Sequence, residues 1–160
     1  MPEENVIEKA RKDKEEGKSP STQAGEFVRE EMHHIREGKH GAQSPEQAIA
    51  IGLSKARRSG VQLPPPKKGV SAKTRAQAKR DSERGSRRRG SKASRTRSRA
   101  TTGALRREGH SAASRSNLSK HAKSVAQRRG SRSRRQSARK AAHTRKAERS
   151  SRRATHRGEK

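Results

Sequence analysis

The sequence predicts a mostly α-helical N-terminal head, a short helical hairpin with a third helix before it. A C-terminal half that is intrinsically disordered, with nascent helices, follows. Three observations carry this expectation. The first is charge: 44 Lys+Arg against 16 Asp+Glu give a net +28 over 160 residues. Residues 1–60 hold 11 basic and 11 acidic groups, so the other 33 basic and 5 acidic groups, and the whole excess, fall after residue 60. The second is apolar content. Of 16 Val, Ile, Leu, Met and Phe residues, 13 lie in residues 1–70, leaving Leu105, Leu118 and Val125 beyond. The third is the run Leu63-Pro64-Pro65-Pro66-Lys67-Lys68-Gly69, which reads as a stiff polyproline II spacer. The expected organisation is therefore a helix in 1–18, a helical hairpin in 19–60, a linker in 61–69 and an Arg/Ser/Ala-rich tail in 70–160.

Composition also excludes several classes. With 23% hydrophobic residues and Phe27 the single aromatic, a compact 160-residue domain cannot offset its backbone entropy. No run approaches the roughly 20 apolar residues of a membrane span. The start, MPEENVIEKA, is acidic and lacks the apolar core of a secretory signal or the Arg-rich character of a transit peptide. Cysteine is absent, so disulfides and thiolate metal sites are excluded. These features lead to the expectation of a soluble cytoplasmic, nucleoid-associated protein whose partner is a polyanion.

The elements of the head follow from local chemistry. Residues 3–16 form a helix with a Glu8–Lys12 pair at i,i+4, a stripe of Val6, Ile7 and Ala10, and Gly17 as its left-handed stop. Ser19 is an N-cap with Pro20 at the first helical position, and Phe27, Val28, Met32 and Ile35 supply the apolar face up to Gly38. Gly25 costs about 1 kcal/mol relative to alanine, which argues for a start nearer Glu26. Ser44 and Gln47 make a capping box for a third helix, with Pro45 at its first position. Arg57 and Arg58 sit at its negative end, and Gly60 stops it. Ile49, Leu53 and Ala56 form one stripe with Ala48, Ile51 and Gly52 alongside, small enough for another helix to approach. The loop around Gly38–Gly41 suits an antiparallel hairpin. Two readings of this apolar set (Phe27, Val28, Met32, Ile35, Ile49, Ile51, Leu53, Ala56) stand side by side. It is the core of a small folding unit, or a surface for homodimerisation or partner docking that supplies missing buried area.

The segment from Phe27 to Gly69, FVREEMHHIREGKHGAQSPEQAIAIGLSKARRSGVQLPPPKKG, resembles a bacterial family of small basic proteins of unknown function. Its signature runs here through Met32, His33, Ile35, Arg36 and Gly38, then Gln47 to Leu53, Ser54, Ala56, Arg57, Arg58 and Gly60. This chain departs in a shorter loop and a much longer tail. The resemblance implies bacterial origin and a helical hairpin, and it transfers no catalytic residues. Some members carry a plasmid-stabilisation label.

The tail holds 23 Arg and 10 Lys after residue 60. Guanidinium groups are always charged and grip phosphate oxygens in a bidentate fork. The predicted nucleic-acid contacts are Arg87, Arg88, Arg89, Arg95, Arg97, Arg99, Arg106, Arg107, Arg128, Arg129, Arg132, Arg134, Arg135, Arg139, Lys140, Arg145, Lys146, Arg152 and Arg153. Leu118, Ala122, Val125 and Ala126 at helical spacing, and the alanine-rich Ser137–Ala142, are expected to become helical on binding. The tail is similar in composition to those of linker histones and bacterial histone-like proteins. DNA is the first expected partner and RNA the second, with a protein–protein adaptor role through the head as a third reading. No recognition fold is present and bases have one aromatic to stack on, so binding is expected to follow phosphate rather than sequence. Eight phosphate contacts alone would give a salt slope of about −7.

Catalytic and metal chemistry find little support in the sequence. Glu30 and His33 stand at i,i+3 with His34, Glu37 and His40 nearby, but a di-iron site requires a second such pair. These residues read as a solvated polar face, no metal or other cofactor is assigned, and no nucleophile elbow or phosphate-cradling loop marks an enzyme.

Overall fold

Serine side chains start the two central helices. Ser19, in extended backbone, accepts from the Thr22 amide at 3.3 Å and opens α2 (Pro20–Arg36), so the helix begins at Pro20 despite Gly25. Ser44 accepts from the Gln47 amide at 3.3 Å and opens α3 (Pro45–Arg58). The reciprocal bond of this cap reaches one residue further out, Gln47 Oε1 accepting from the Gln43 amide at 2.7 Å. The first helix, α1, spans Glu4–Glu15. Gly17 and Gly60 stop α1 and α3 at φ +71° and +93°, where an L side chain is strained.

The computed structural model describes residues 2–66, 70–86 and 94–157, with side chains described to residue 146. Beyond the head it contains four more α-helices among the described residues: α4 (Ala72–Ser86), α5 (Arg95–Arg106), α6 (Arg115–Arg128) and α7 (Gly130–Arg157). A 3-10 turn, Ser111–Ala113, lies between α5 and α6. The chain divides into two units, Met1–Leu118 and Ser119–Lys160. No helix among the described residues is long and apolar enough to cross a membrane.

The helices within residues 70–86 and 94–157 correct the disorder expected there. The reason lies in residue types that a count of large apolar groups passes over. No proline follows Pro66, and arginine and alanine, both strong helix formers, dominate these segments. Alanine also fills narrow spaces where a larger side chain would not fit. Ala78 of α4 and Ala112 and Ala113 of the 3-10 turn are all buried.

In the first unit, α2 packs between α1 and α3, and α4 packs on α3. One apolar cluster joins Val6, Ala10, Ala24, Phe27, Ala56 and Val61, with Ile7, Leu53 and Leu63 against it. A second joins Met32, Ile35, Ala42, Ala48, Ala112 and Ala113, with Val28, Ile49 and Leu118 against it. Seven of the eight apolar side chains singled out from the sequence thus pack within the chain; Ile51 is half-buried and belongs to neither cluster. The chain's own α1, residues 61–63 and residues 112–118 provide area that the sequence reading sought in a second copy.

Backbone contacts fix the return of the distant segment onto the hairpin. The Gly41 amide donates to the Leu105 carbonyl at 2.8 Å and the Ala42 amide to the Gly109 carbonyl at 3.0 Å. Arg36 Nε donates to the Ala113 carbonyl at 3.0 Å. A methyl group on Gly41 would fall on the Glu108 carbonyl, so only glycine fits there. The second unit consists of the C-terminal part of α6 and of α7. Its side chains are exposed along almost all of the described length of α7.

Candidate nucleic-acid interface and a buried polar cluster

The third and fourth helices converge on Asp81. This carboxylate is buried, accepting from Ser54 Oγ of α3 at 2.6 Å and from Gln77 Nε2 of α4 at 3.1 Å. Both oxygens are thereby occupied, which offsets the cost of burying the charge. Around Asp81 opens a cleft of about 560 Å³ lined by Ser54, Arg58, Gln77, Arg80, Asp81, Arg84 and Arg97. Arg80 and Arg84 stand at i,i+4 on α4 and so share its face. Arg58 closes the last turn of α3, and Arg97 comes from the first turn of α5. Among the described residues none of the four is ion-paired with a carboxylate. Arg58 instead donates to the Ser54 carbonyl at 3.3 Å, and Arg80 to Gln77 Oε1 at 2.9 Å. Four guanidinium groups and one internally satisfied carboxylate leave a strongly positive concavity, suited to phosphate oxygens.

Among the described residues, Arg97 is the one arginine predicted from the sequence that enters this cleft. Arg95, Arg99, Arg106 and Arg107 are exposed along α5 and at its end. Arg128 closes α6 in the second unit and Arg129 follows it. Arg132, Arg134, Arg135, Arg139, Lys140, Arg145 and Lys146 are exposed on α7. At 100° per residue, Arg132, Arg135, Arg139 and Lys146 share one face of that helix, a stripe roughly 21 Å long. No Asp or Glu occurs between Glu108 and Glu148. Arg87, Arg88 and Arg89 lie outside the described residues, as do the side chains of Arg152 and Arg153. Sequence reading missed Arg58, Arg80 and Arg84. The i,i+4 spacing of the last two was the available signal, legible once Ala72–Ser86 is read as a helix.

A second constellation sits on the inner face of α2. Glu31 is fully buried and Glu30 nearly so. The α3 residue Lys55 places Nζ 2.6 Å from Glu31 Oε2 and 3.6 Å from Glu30 Oε2. Glu30 Oε1 accepts from the Glu3 amide at 2.6 Å, where the start of α1 favours negative charge. The loop residue His40 brings Nε2 to 3.1 Å from Glu31 Oε1, while its Nδ1 lies 3.1 Å from the Gly41 carbonyl. His34 Nε2 stands 3.2 Å from Glu3 Oε1. The His34 ring and the Lys39 ammonium beside it hold the Glu3 carboxyl below its usual range. His33, paired with Glu30 in the sequence reading, is exposed instead. The solvated polar face expected there is thus corrected for Glu30, which the helix turns inward together with its neighbour Glu31 against α1 and α3.

Residues 17–68 match a family of unknown function, DUF6496. No curated protein and no solved structure matches the chain. The DUF6496 stretch contains α2, α3, the buried Glu30–Glu31–Lys55 cluster and both of its histidines. Of the cleft it contains Ser54 and Arg58 alone, so Arg80, Arg84 and Arg97 lie beyond it.

Proposed function

We propose that this protein binds nucleic acid through the phosphate backbone without sequence preference, with duplex DNA as the first partner and a nucleoid or plasmid-maintenance role. The observation that carries the reading is the cleft in which Arg58, Arg80, Arg84 and Arg97 surround a satisfied Asp81, none of the four ion-paired with a carboxylate among the described residues. Such a group does little for the folded chain and gains its interaction energy from an external anion. The exposed cationic stripe of α7 supplies further contacts of the same chemistry.

The mechanism is charge neutralisation with counterion release. Each phosphate neutralised contributes about 0.9 to the slope of log K against log salt for duplex DNA. A helical presentation matters because it fixes guanidinium spacing in advance, so less side-chain and backbone order is lost on binding. Base stacking contributes nothing from Phe27, which is fully buried.

The test is binding of the full chain to unrelated duplexes of equal length across a sodium chloride series. Equal affinity for different sequences and a steep negative slope are expected. The variant R58A/R80A/R84A/R97A should show a slope shallower by roughly 3–4 units. Absence of salt-dependent binding would overturn the reading, and a strong preference for RNA at matched salt would shift it to an RNA-associated role.

A further inference from the structure

Glu31, His34 and His40 bring a carboxylate and two imidazoles together, with one donor atom from each lying within 4.8 Å of the others. Two residues come from one face of α2 at i,i+3, and the third comes from the loop that follows. We propose that these three residues form a binding site for a divalent metal ion of the zinc class.

The hydrogen bonding of His40 supports this beyond mere proximity. A backbone carbonyl only accepts, so the His40 Nδ1 that faces the Gly41 carbonyl at 3.1 Å carries a proton. In a neutral imidazole, Nε2 then presents its lone pair, and that lone pair faces Glu31 Oε1 at 3.1 Å. Two acceptors do not hold each other at that distance unless a cation or a second proton lies between them. A ring nitrogen fixed to a backbone carbonyl with the other left for metal is the usual arrangement of a ligating histidine.

Charge points the same way. Two buried carboxylates, Glu30 and Glu31, share the single ammonium of Lys55. That ammonium ion-pairs with Glu31 Oε2, and neither oxygen of Glu31 meets a donor in hydrogen-bond geometry, so Oε1 has only the His40 ring beside it. The two oxygens of one buried carboxylate thus have separate roles, one toward Lys55 and one toward the histidines. A metal on Oε1 supplies the second positive charge and leaves the Lys55 pair intact.

Donor type selects the metal. Two imidazoles and one carboxylate suit zinc and its first-row neighbours, whereas calcium and magnesium require sets of oxygen ligands. A tetrahedral zinc with bonds of about 2.1 Å separates its ligand atoms by roughly 3.4 Å, so the three side chains need move by no more than about an ångström. His34 stands edge-on to His40, with ring centroids 6.1 Å apart and planes at 81°. The site joins the C-terminal end of α2 to the loop at Gly41, where the distant Leu105 carbonyl is also held.

The experiment titrates zinc into chelator-treated full-length protein against a competing chromogenic chelator, with cobalt(II) substitution as a second readout. The wild type is expected to bind one equivalent tightly and to show the visible absorption of a four-coordinate cobalt site. H34A/H40A, with its helix content checked by circular dichroism, should weaken zinc binding by on the order of 100-fold and lose the cobalt band. H34Q/H40Q provides a more conservative pair should the alanine variant fail to fold. H33A/H110A should behave as wild type. Zinc binding unchanged in both His34/His40 variants, or a folded wild type with no one-equivalent event, would overturn the proposal and leave His40 as a protonated partner of Glu31.

Discussion

Glu31 Oε2 and Lys55 Nζ stand 2.6 Å apart, joining α2 to α3 with the carboxylate fully buried and the lysine side chain 14% exposed. Removing one member of a buried pair leaves an uncompensated charge, which is costlier than never having built the pair. K55M should therefore destabilise the protein by about 3 kcal/mol in urea unfolding. E31L/K55M should recover only part of that loss, because Glu30 Oε2, 3.6 Å from the same ammonium, is left buried without it, and E30Q/E31L/K55M should recover more. A single variant within about 0.5 kcal/mol of wild type would show that the pair carries no such burden.

Gly52 and Gly25 occupy helix interiors but predict opposite outcomes. A Cβ on Gly52 would lie 2.8 Å from Val28 Cα, where α3 crosses α2, and backbone cannot give way. G52A should cost about 1–3 kcal/mol by forcing the helices apart. Nothing lies within 4 Å of a Cβ on Gly25, whose φ is ordinary for a helix. G25A should stabilise by about 0.5–1 kcal/mol, since alanine loses less freedom on folding. Chemical denaturation of the two variants beside wild type measures both signs.

The close approach at Gly52 was legible in the sequence because small residues beside the Ile49–Leu53–Ala56 stripe leave room for a partner helix. The caps at Ser19 and Ser44 and the stops at Gly17 and Gly60 were legible for similarly local reasons. What could not be read was long-range. Ala78, Ala112 and Ala113 look like any other alanine in a segment rich in Ala and Ser, and only their destination distinguishes them. The arginine cleft hid for the same reason, since Arg58, Arg80 and Arg97 come from three helices. Glu31 with His34 had the spacing of a face, yet the choice between that face and the one bearing Glu30 and His33 depends on helix rotation. A count of large apolar residues does not fix that rotation.

Gly85 offers a probe of how α4 is held. A methyl group there would fall on the Arg57 carbonyl and lie 3.0 Å from the Gly60 amide nitrogen. G85A should lift the C-terminal end of α4 from α3 at a cost of roughly 1–3 kcal/mol. Hydrogen exchange should then quicken in α4 while α1, α2 and the amides of the Gly41 loop keep wild-type protection. Uniform loss of protection across the unit would mean that α4 folds as one piece with the hairpin instead.

Ala113 ties the far segment to both fold and proposed function. Its side chain is fully buried in the cluster with Met32 and Ile35, and its carbonyl accepts from Arg36 Nε at 3.0 Å. A113D puts an unpartnered carboxylate into that apolar space, a cost of several kcal/mol that undocking the segment avoids. Undocking frees α5, whose last turn is held by the Gly41 amide on the Leu105 carbonyl. Limited proteolysis should then cut within residues 95–114 at low protease, where the wild type resists. Arg97 would leave the cleft while Arg58, Arg80 and Arg84 stay on α3 and α4. The salt slope for duplex binding should accordingly become shallower by about one unit, and not by the three to four expected from R58A/R80A/R84A/R97A. A slope equal to wild type in a variant that proteolysis shows to be undocked would remove Arg97 from the phosphate-binding set.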